Sequence, residues 1–224
     1  MKKPDMILFA KQPLAGQVKT RLAQVCGAER AAEIAGVLIR RTVALVADSW
    51  PGEVYLYGAP DARHPLFEQL AAELHVHLAS QGAGDLGARM LRSMCQGIER
   101  RGAAAIMGCD VPQCSATALE DAYETLARGG NVIGPSRDGG YYFIGLQRPE
   151  PTLFTGMDWG SDGVLNQTQA RARAAGIEFH TLPPLCDIDT WDDLVSAARL
   201  DPSLRSLVTR SAHVVFPLNP ESRS

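Results

Sequence analysis

At 224 residues the chain has the length of one domain, and a hydrophobic fraction of 46% is ample for a sizeable core. A net charge of −3, with the basic residues scattered, leaves no electrostatic footprint for nucleic acid, and no stretch approaches the roughly 18 apolar residues that span a bilayer. Five cysteines, an odd number without zinc-type spacing, read as small buried residues of a reducing cytosol; the apolar Met6–Ala10 behind Lys2 and Lys3 is too short for a secretion signal, so a cytoplasmic protein is expected.

Met6-Ile-Leu-Phe-Ala10 is a continuous apolar run, the form of a parallel strand buried on both faces. It opens into Lys11-Gln-Pro-Leu-Ala-Gly16-Gln-Val-Lys19-Thr20-Arg21, where three cations fall within eleven residues. Backbone amides of such a loop, with the lysine and arginine side chains, can cradle phosphate oxygens. The order of residues is not that of a Walker loop. A solvated basic loop is the plainer alternative, but its place after the first strand favours phosphate, with Lys11, Gly16, Lys19 and Arg21 as candidates.

A helix is expected over 28–48, ended by Trp50-Pro51-Gly52. A strand over 53–57, a turn at 58–60 and a helix over 66–74 follow. Val76 and Leu78 mark a short third strand, with His75 and His77 on its half-exposed other face. Residues 82–87 then satisfy Gly-x-Gly-x-x-Gly between that strand and a helix over 88–100. A dinucleotide site is disfavoured: the motif follows the third strand, Asp85 opposes a pyrophosphate, and the acid due about twenty residues later is missing. Gly82 and Gly84 more plausibly let the backbone approach a flat ligand such as a nucleobase, with Gln81 as its hydrogen-bond partner. Gln81, Gly82, Gly84 and Asp85 are therefore nucleotide-binding candidates.

The apolar run Ala103–Met107 ends abruptly in Gly108-Cys109-Asp110-Val111-Pro112. That pattern delivers a carboxylate to the rim of a sheet, where open α/β folds bind ligands. Asp110 suits Mg²⁺ or Mn²⁺, hard cations that take oxygen ligands. A capping role for it is weakened because Ser115 is itself a good cap for the helix over 115–128. After a strand over 131–135, Asp138-Gly139-Gly140 is a hairpin signal feeding a strand over 142–146. The paired glycines beside an acid also suit a loop that wraps an acceptor, so Asp138, Gly139, Gly140 and Tyr141 are acceptor-side candidates. A helix over 161–175 with Ser161 as cap and a strand over 178–182 come next. Asp187 and Asp189, two apart, point the same way in an extended segment. Thr190 and Asp193 fit a capping box, which leaves Asp187 and Asp189 unexplained by capping, and one or both could complete the site of Asp110.

These blocks occur together in a recognisable order: Lys11-x-Pro13-x-x-Gly16-x-x-Lys19-Thr20-Arg21, Gln81-Gly82-x-Gly84-Asp85-Leu86-Gly87-x-Arg89-Met90, Gly108-x-Asp110-x-Pro112 and Gly134-Pro135-x-x-Asp138-Gly139-Gly140-Tyr141. Trp159-Gly160-x-Asp162 and Asp187-Ile188-Asp189-Thr190 complete the set. Over roughly residues 5–200 the chain resembles a bacterial glycosyltransferase-A-fold family long filed as a domain of unknown function. That family is related to 2-phospho-lactate guanylyltransferases and, more distantly, to molybdenum-cofactor guanylyltransferases. Cys109 departs from it, since relatives often carry a small hydroxyl residue there.

The resemblance implies an α/β fold: a Rossmann-like, mostly parallel sheet flanked by helices, the nucleotide-diphospho-sugar transferase architecture. One domain over 1–200 would hold a nucleotide-binding half (about 1–112) and an acceptor half (about 113–200), with a peripheral tail over 201–224. It also implies that Asp110 holds Mg²⁺ or Mn²⁺ with Asp187 and Asp189 close by, and that Lys11, Lys19 and Arg21 bind phosphates. The leading expectation is nucleotidyl transfer from a nucleoside triphosphate to a small phosphorylated acceptor, with Mg²⁺ on Asp110 and the loop of Lys11, Lys19 and Arg21 neutralising charge on the phosphates. Glycosyl transfer from a nucleotide-sugar weighs nearly the same, with Asp138 or a later acid as base. A non-catalytic nucleotide sensor is third, and a dehydrogenase last. No partner beyond small molecules is implied, and the oligomeric state is not specified.

Overall fold

The computed structural model describes residues 3–209. The short apolar runs and the amphipathic stretches between them alternate as strands and helices: β1 (Asp5–Lys11), α1 (Thr20–Cys26), α2 (Ala28–Ser49), β2 (Val54–Ala59), α3 (Pro65–Leu74), β3 (His77–Ser80), α4 (Leu86–Arg101) and β4 (Ala104–Gly108). The second part adds α5 (Ala116–Ala127), β5 (Asn131–Pro135), β6 (Tyr141–Leu146), α6 (Val164–Ala174), β7 (Phe179–Thr181), α7 (Trp191–Leu200) and α8 (Arg205–Thr209).

The strands form one sheet in the order β3-β2-β1-β4-β6-β5-β7. Every pairing is parallel except those of β6, which runs against both β4 and β5. The reversal follows from the Asp-Gly-Gly turn expected in the sequence: Ser136 N–H donates to the Gly140 carbonyl at 3.0 Å and closes a tight connection. Along β1 successive side chains alternate between two cores, as the two-residue period requires. Met6 and Leu8 pack with Val43, Phe67 and Leu119 beneath α2, α3 and α5. Ile7 faces Met94, Ile106 and Ile144 on the α4 side.

A third cluster joins Leu22, Ile34, Leu38, Ile188 and Leu194 on α1, α2 and α7. Leu204 and Leu207, in the segment expected to be a tail, are buried in it; residues 210–224 of that segment lie outside the described residues. Among the described residues no helix is long and apolar enough to cross a membrane.

Three local expectations are corrected. The sequence shows α1 no capping side chain, and its N-cap, Lys19, makes no such bond, so this helix was hidden inside the basic loop. The helix expected from Ser161 begins at Val164, because Ser161 instead closes a turn, its hydroxyl donating to the Asp158 carbonyl at 2.9 Å. His75 is not on the third strand; it ends α3 in the left-handed conformation.

Candidate active site

β1 and β4 lie side by side in register, Phe9 opposite Gly108. The chain runs from β1 outward to β2 and β3 on one side, and from β4 toward β6 on the other. The crevice beyond their carboxyl ends is therefore the sheet's topological switch point, the usual ligand position in open α/β folds. Lys11 leaves β1 there and Asp110 follows β4 there. Because β6 is antiparallel to β4, its first residue, Tyr141, and the Asp138 turn before it reach the same rim. A parallel β6 would have put them at the opposite end of the sheet.

The acidic segment after β7 is joined to this rim by backbone: Ile188 N–H donates to the Asp110 carbonyl at 3.0 Å. Ile188 is fully buried, and Asp187 and Asp189 stand on the other side of the segment, as alternation predicts. They reach different neighbours. Asp189 Oδ1 meets Lys19 Nζ at 3.0 Å. Asp187 Oδ1 accepts a 2.8 Å hydrogen bond from the Ser136 hydroxyl.

Lys19 Nζ also lies 2.9 Å from Asp110 Oδ2, and its side chain is only 7% exposed. Burial alone would lower the pKa of Lys19, but the Asp110 and Asp189 carboxylates outweigh it and hold the ammonium above the usual lysine range. At Asp187 the balance runs the other way. Burial pushes the carboxyl up to about 6, the Ser136 hydrogen bond opposes that, and the charges of Asp138, Asp110 and Asp189 add to it.

The cationic residues of the first loop are thus separated. Lys11 Nζ donates to the Gln17 carbonyl at 2.7 Å. With Lys19, Asp110 and Asp189 it lines a cavity of about 210 Å³, whose wall is completed by buried Cys109. Gly16 lies in the exposed part of that loop, with a left-handed φ of 75° and open space around it. Arg21, on the first turn of α1, lines a neighbouring cavity of about 380 Å³ together with Asp138, Asp162 and Asp187. The apolar side of this second cavity includes Met90, Tyr141 and Trp159; the two aromatic rings meet edge to face at 6.3 Å. A larger hollow of about 700 Å³ beside Arg171 is lined by none of these residues. Arg171 itself is committed to the carbonyls of Thr152, Thr155 and Gly156.

The glycine-rich turn after β3 is held by contacts within the protein. Gln81 is buried; its amide nitrogen donates to the carbonyls of Ala10 at 3.1 Å and Tyr57 at 2.9 Å, and its oxygen accepts from Arg89 at 3.0 Å. It clips the ends of β1 and β2 together, and its amide is already engaged by protein groups. Arg92 fills the space over Gly82, donating to the carbonyls of Gln81 and Ala83. A Cβ on Gly87 would collide with the Phe154 carbonyl. Asp85 caps α4, its carboxylate accepting from Ala88 N–H at 2.8 Å. What closely approaches Gly82 and Gly87 is therefore protein.

The hairpin turn is locked in the same manner. Gly139 has φ +93°, a Cβ there would strike the Asp162 backbone, and its carbonyl accepts from Leu165 N–H at 2.8 Å. Gly140 N–H donates to Asp138 Oδ1 at 2.9 Å, fixing that carboxylate over the second cavity. Sequence reasoning assigned no role to Ser136 or Trp159. Trp159 stood in a quoted motif, whereas nothing local marks Ser136 as the partner of an acid 51 residues away.

Among the described residues no three histidine, cysteine, aspartate or glutamate side chains are gathered closely enough to hold a metal ion. The donor chemistry nevertheless fits Mg²⁺ or Mn²⁺. Asp110 Oδ2 and Asp189 Oδ1 converge on one point, occupied by Lys19 Nζ. Mg²⁺ is commonly held by one or two carboxylates, with phosphates and water completing its shell.

A protein from Desulfovibrio desulfuricans G20, provisionally described as a nucleotide-diphospho-sugar transferase, is 29% identical over 94% of this chain and 95% of its own, with a TM-score of 0.82. Two more distant structures share the fold. A nucleotidyl transferase from Methanothermobacter thermautotrophicus is 15% identical over 91% of this chain and 98% of its own, with a TM-score of 0.52. A CMP:2-keto-3-deoxy-manno-octonic acid synthetase complexed with CTP is 11% identical over 89% and 99%, with a TM-score of 0.51. No curated protein matches the sequence. The family described as "Uncharacterized protein conserved in bacteria (DUF2064)" matches residues 42–161, more than half of the 224-residue chain. With strands, turn and acidic rim all in place, the chain belongs to the DUF2064 family.

Proposed function

We propose that this protein is a nucleotide-using transferase, holding an activated donor where β1 and β4 end and passing a group to an acceptor in the adjoining cavity. One observation carries this reading: Asp110 and Lys19 meet at the switch point, and the Asp187–Asp189 segment borders both the 210 Å³ and the 380 Å³ cavities. In this reading the donor lies mainly against residues before 112 and the acceptor mainly against residues after it. A divalent metal bound through Asp110 and Asp189 would neutralise charge on the leaving phosphates. Lys11 and Lys19 bind those phosphates, and Gly16 leaves the loop open to them.

The character of the second cavity favours glycosyl transfer to a hydroxyl. Asp138, Asp162 and Asp187 face one guanidinium, that of Arg21. Carboxylates accept hydrogen bonds from hydroxyls and repel phosphate. Asp138, fixed by Gly140 N–H, is the base for that hydroxyl. The likeness to the Desulfovibrio protein supports the same donor class. Nucleotidyl transfer stays as a second reading because Arg21 can hold an acceptor phosphate.

The products separate the two. With Mg²⁺ or Mn²⁺, release of nucleoside diphosphate from nucleotide-sugars supports glycosyl transfer. Pyrophosphate release from nucleoside triphosphates supports the second reading. Nucleotide binding without either product, across donors and acceptors, would leave a sensor.

A further inference from the structure

Lys19 is enclosed at the corner of the site, while the carboxylates that hold it are about half exposed, 47% for Asp110 and 49% for Asp189. Its backbone stands at φ 47°, ψ 46°, a left-handed conformation that only about one in some tens of non-glycine residues adopts. Strain of this kind persists where surrounding structure over-determines it, and it concentrates at ligand clamps and switches. The side chain is a compact charge on a flexible stem of four carbons, and its neighbours include the open cavity beside Lys11.

Resting on the transferase reading above, we infer that Lys19 is the resident cation of this corner. Its ammonium fills the seat between Asp110 and Asp189 in the free protein, and a divalent metal takes that seat only as the ammonium leaves for nucleotide phosphates. The two cations exclude one another by geometry and by charge. Nζ already sits 2.9 and 3.0 Å from the carboxylate oxygens that a metal would need. The phosphates of a donor in the 210 Å³ cavity offer Lys19 a replacement partner.

Metal and nucleotide are then coupled ligands, each raising the affinity for the other. The free protein binds metal weakly, because its apparent affinity is reduced by the fraction of molecules with Lys19 out. An open state populated at about 1–10% weakens metal binding about 100-fold to 10-fold.

Mn²⁺ titration of the nucleotide-free protein, read by the electron paramagnetic resonance of free Mn²⁺, tests this. Lys19→Met and Lys19→Gln should bind Mn²⁺ about 10–100-fold more tightly than the wild type. Lys11→Met, which removes a charge from the same cavity but not from the seat, should change the affinity by much less. In the wild type the Lys19 ammonium resonance, followed by ¹⁵N NMR, should shift in step with Mg²⁺ occupancy. Equal Mn²⁺ affinity in the wild type and both Lys19 variants overturns the inference and leaves the transferase reading standing. So does metal binding that leaves the ammonium resonance in place. Absence of Mn²⁺ binding in all four proteins overturns the metal reading itself.

Discussion

The Ile188 amide donates to the Asp110 carbonyl at 3.0 Å, and this backbone bond sets the acidic segment against the end of β4. Ile188 is buried among Leu22, Ile34 and Leu194, so the segment is anchored from behind. The carboxylates on either side of it are thereby held in place without a strand of their own.

Asp110→Asn should keep the fold and lose the chemistry. The side chain is half exposed, and Lys19 keeps Asp189 as a partner. We expect turnover to fall about 10²–10³-fold, as when one preorganised electrostatic group is removed. A nucleotide at 100 Kd stabilises the wild type by about 2.7 kcal/mol, and the metal-dependent part of that shift should vanish in the variant. A variant that responds like the wild type would remove Asp110 from the site.

Asp187 makes stability depend on pH with a defined sign. Its carboxyl holds a proton up to about pH 6 in the folded protein, against 3.8 for the ordinary value. Between those values the folded state binds more protons than the unfolded state, so this group's contribution falls as pH rises through the window. Metal-free Asp187→Asn should melt above the wild type at pH 8, and the gap should close as pH drops below about 4. Thermal melts in chelator across that range check it.

Ser136→Ala removes the hydrogen bond that lowers the Asp187 pKa. Any activity that needs ionised Asp187 should lose its acidic limb at a higher pH than in the wild type. A pH profile with an unmoved limb would take Asp187 out of the reaction.

Gln81→Leu tests whether the buried amide is a clip or a base reader. It removes the second hydrogen bond of the Ala10 and Tyr57 carbonyls and takes the acceptor from Arg89, at a cost of about 0.5–1.5 kcal/mol for each hydrogen bond lost. Denaturant unfolding should register the loss, while nucleotide affinity, read by titration of the folded variant, should change little.

Gly139→Ala should destabilise by about 1–3 kcal/mol, since it forces a side chain into close-packed backbone at a left-handed φ of +93°. A stability within experimental error of the wild type would mean that the hairpin turn yields easily.

What the sequence made legible was carried by short-range spacing. The apolar run into Asp110, the Asp138-Gly139-Gly140 turn and the box of Thr190 and Asp193 each declare themselves within a few residues, and the structure contains all three. The arrangement of charges was not legible, because it depends on which strands are neighbours. Lys19 reaches Asp189 across 170 positions, and that contact exists only because β4 crosses back beside β1. The surroundings of the glycines of 82–87 were illegible for a related reason. Close approach of something to the backbone was correctly implied, but only the packed structure identifies it as Arg92, Phe154 and Trp159.

The order of the strands also bears on how the molecule behaves in a crowd. The two outermost, β3 and β7, are four and three residues long. Rims this short offer little unpaired backbone for another chain to extend. Among the described residues the sheet of seven strands thus presents poor templates for edge-on recruitment of another chain.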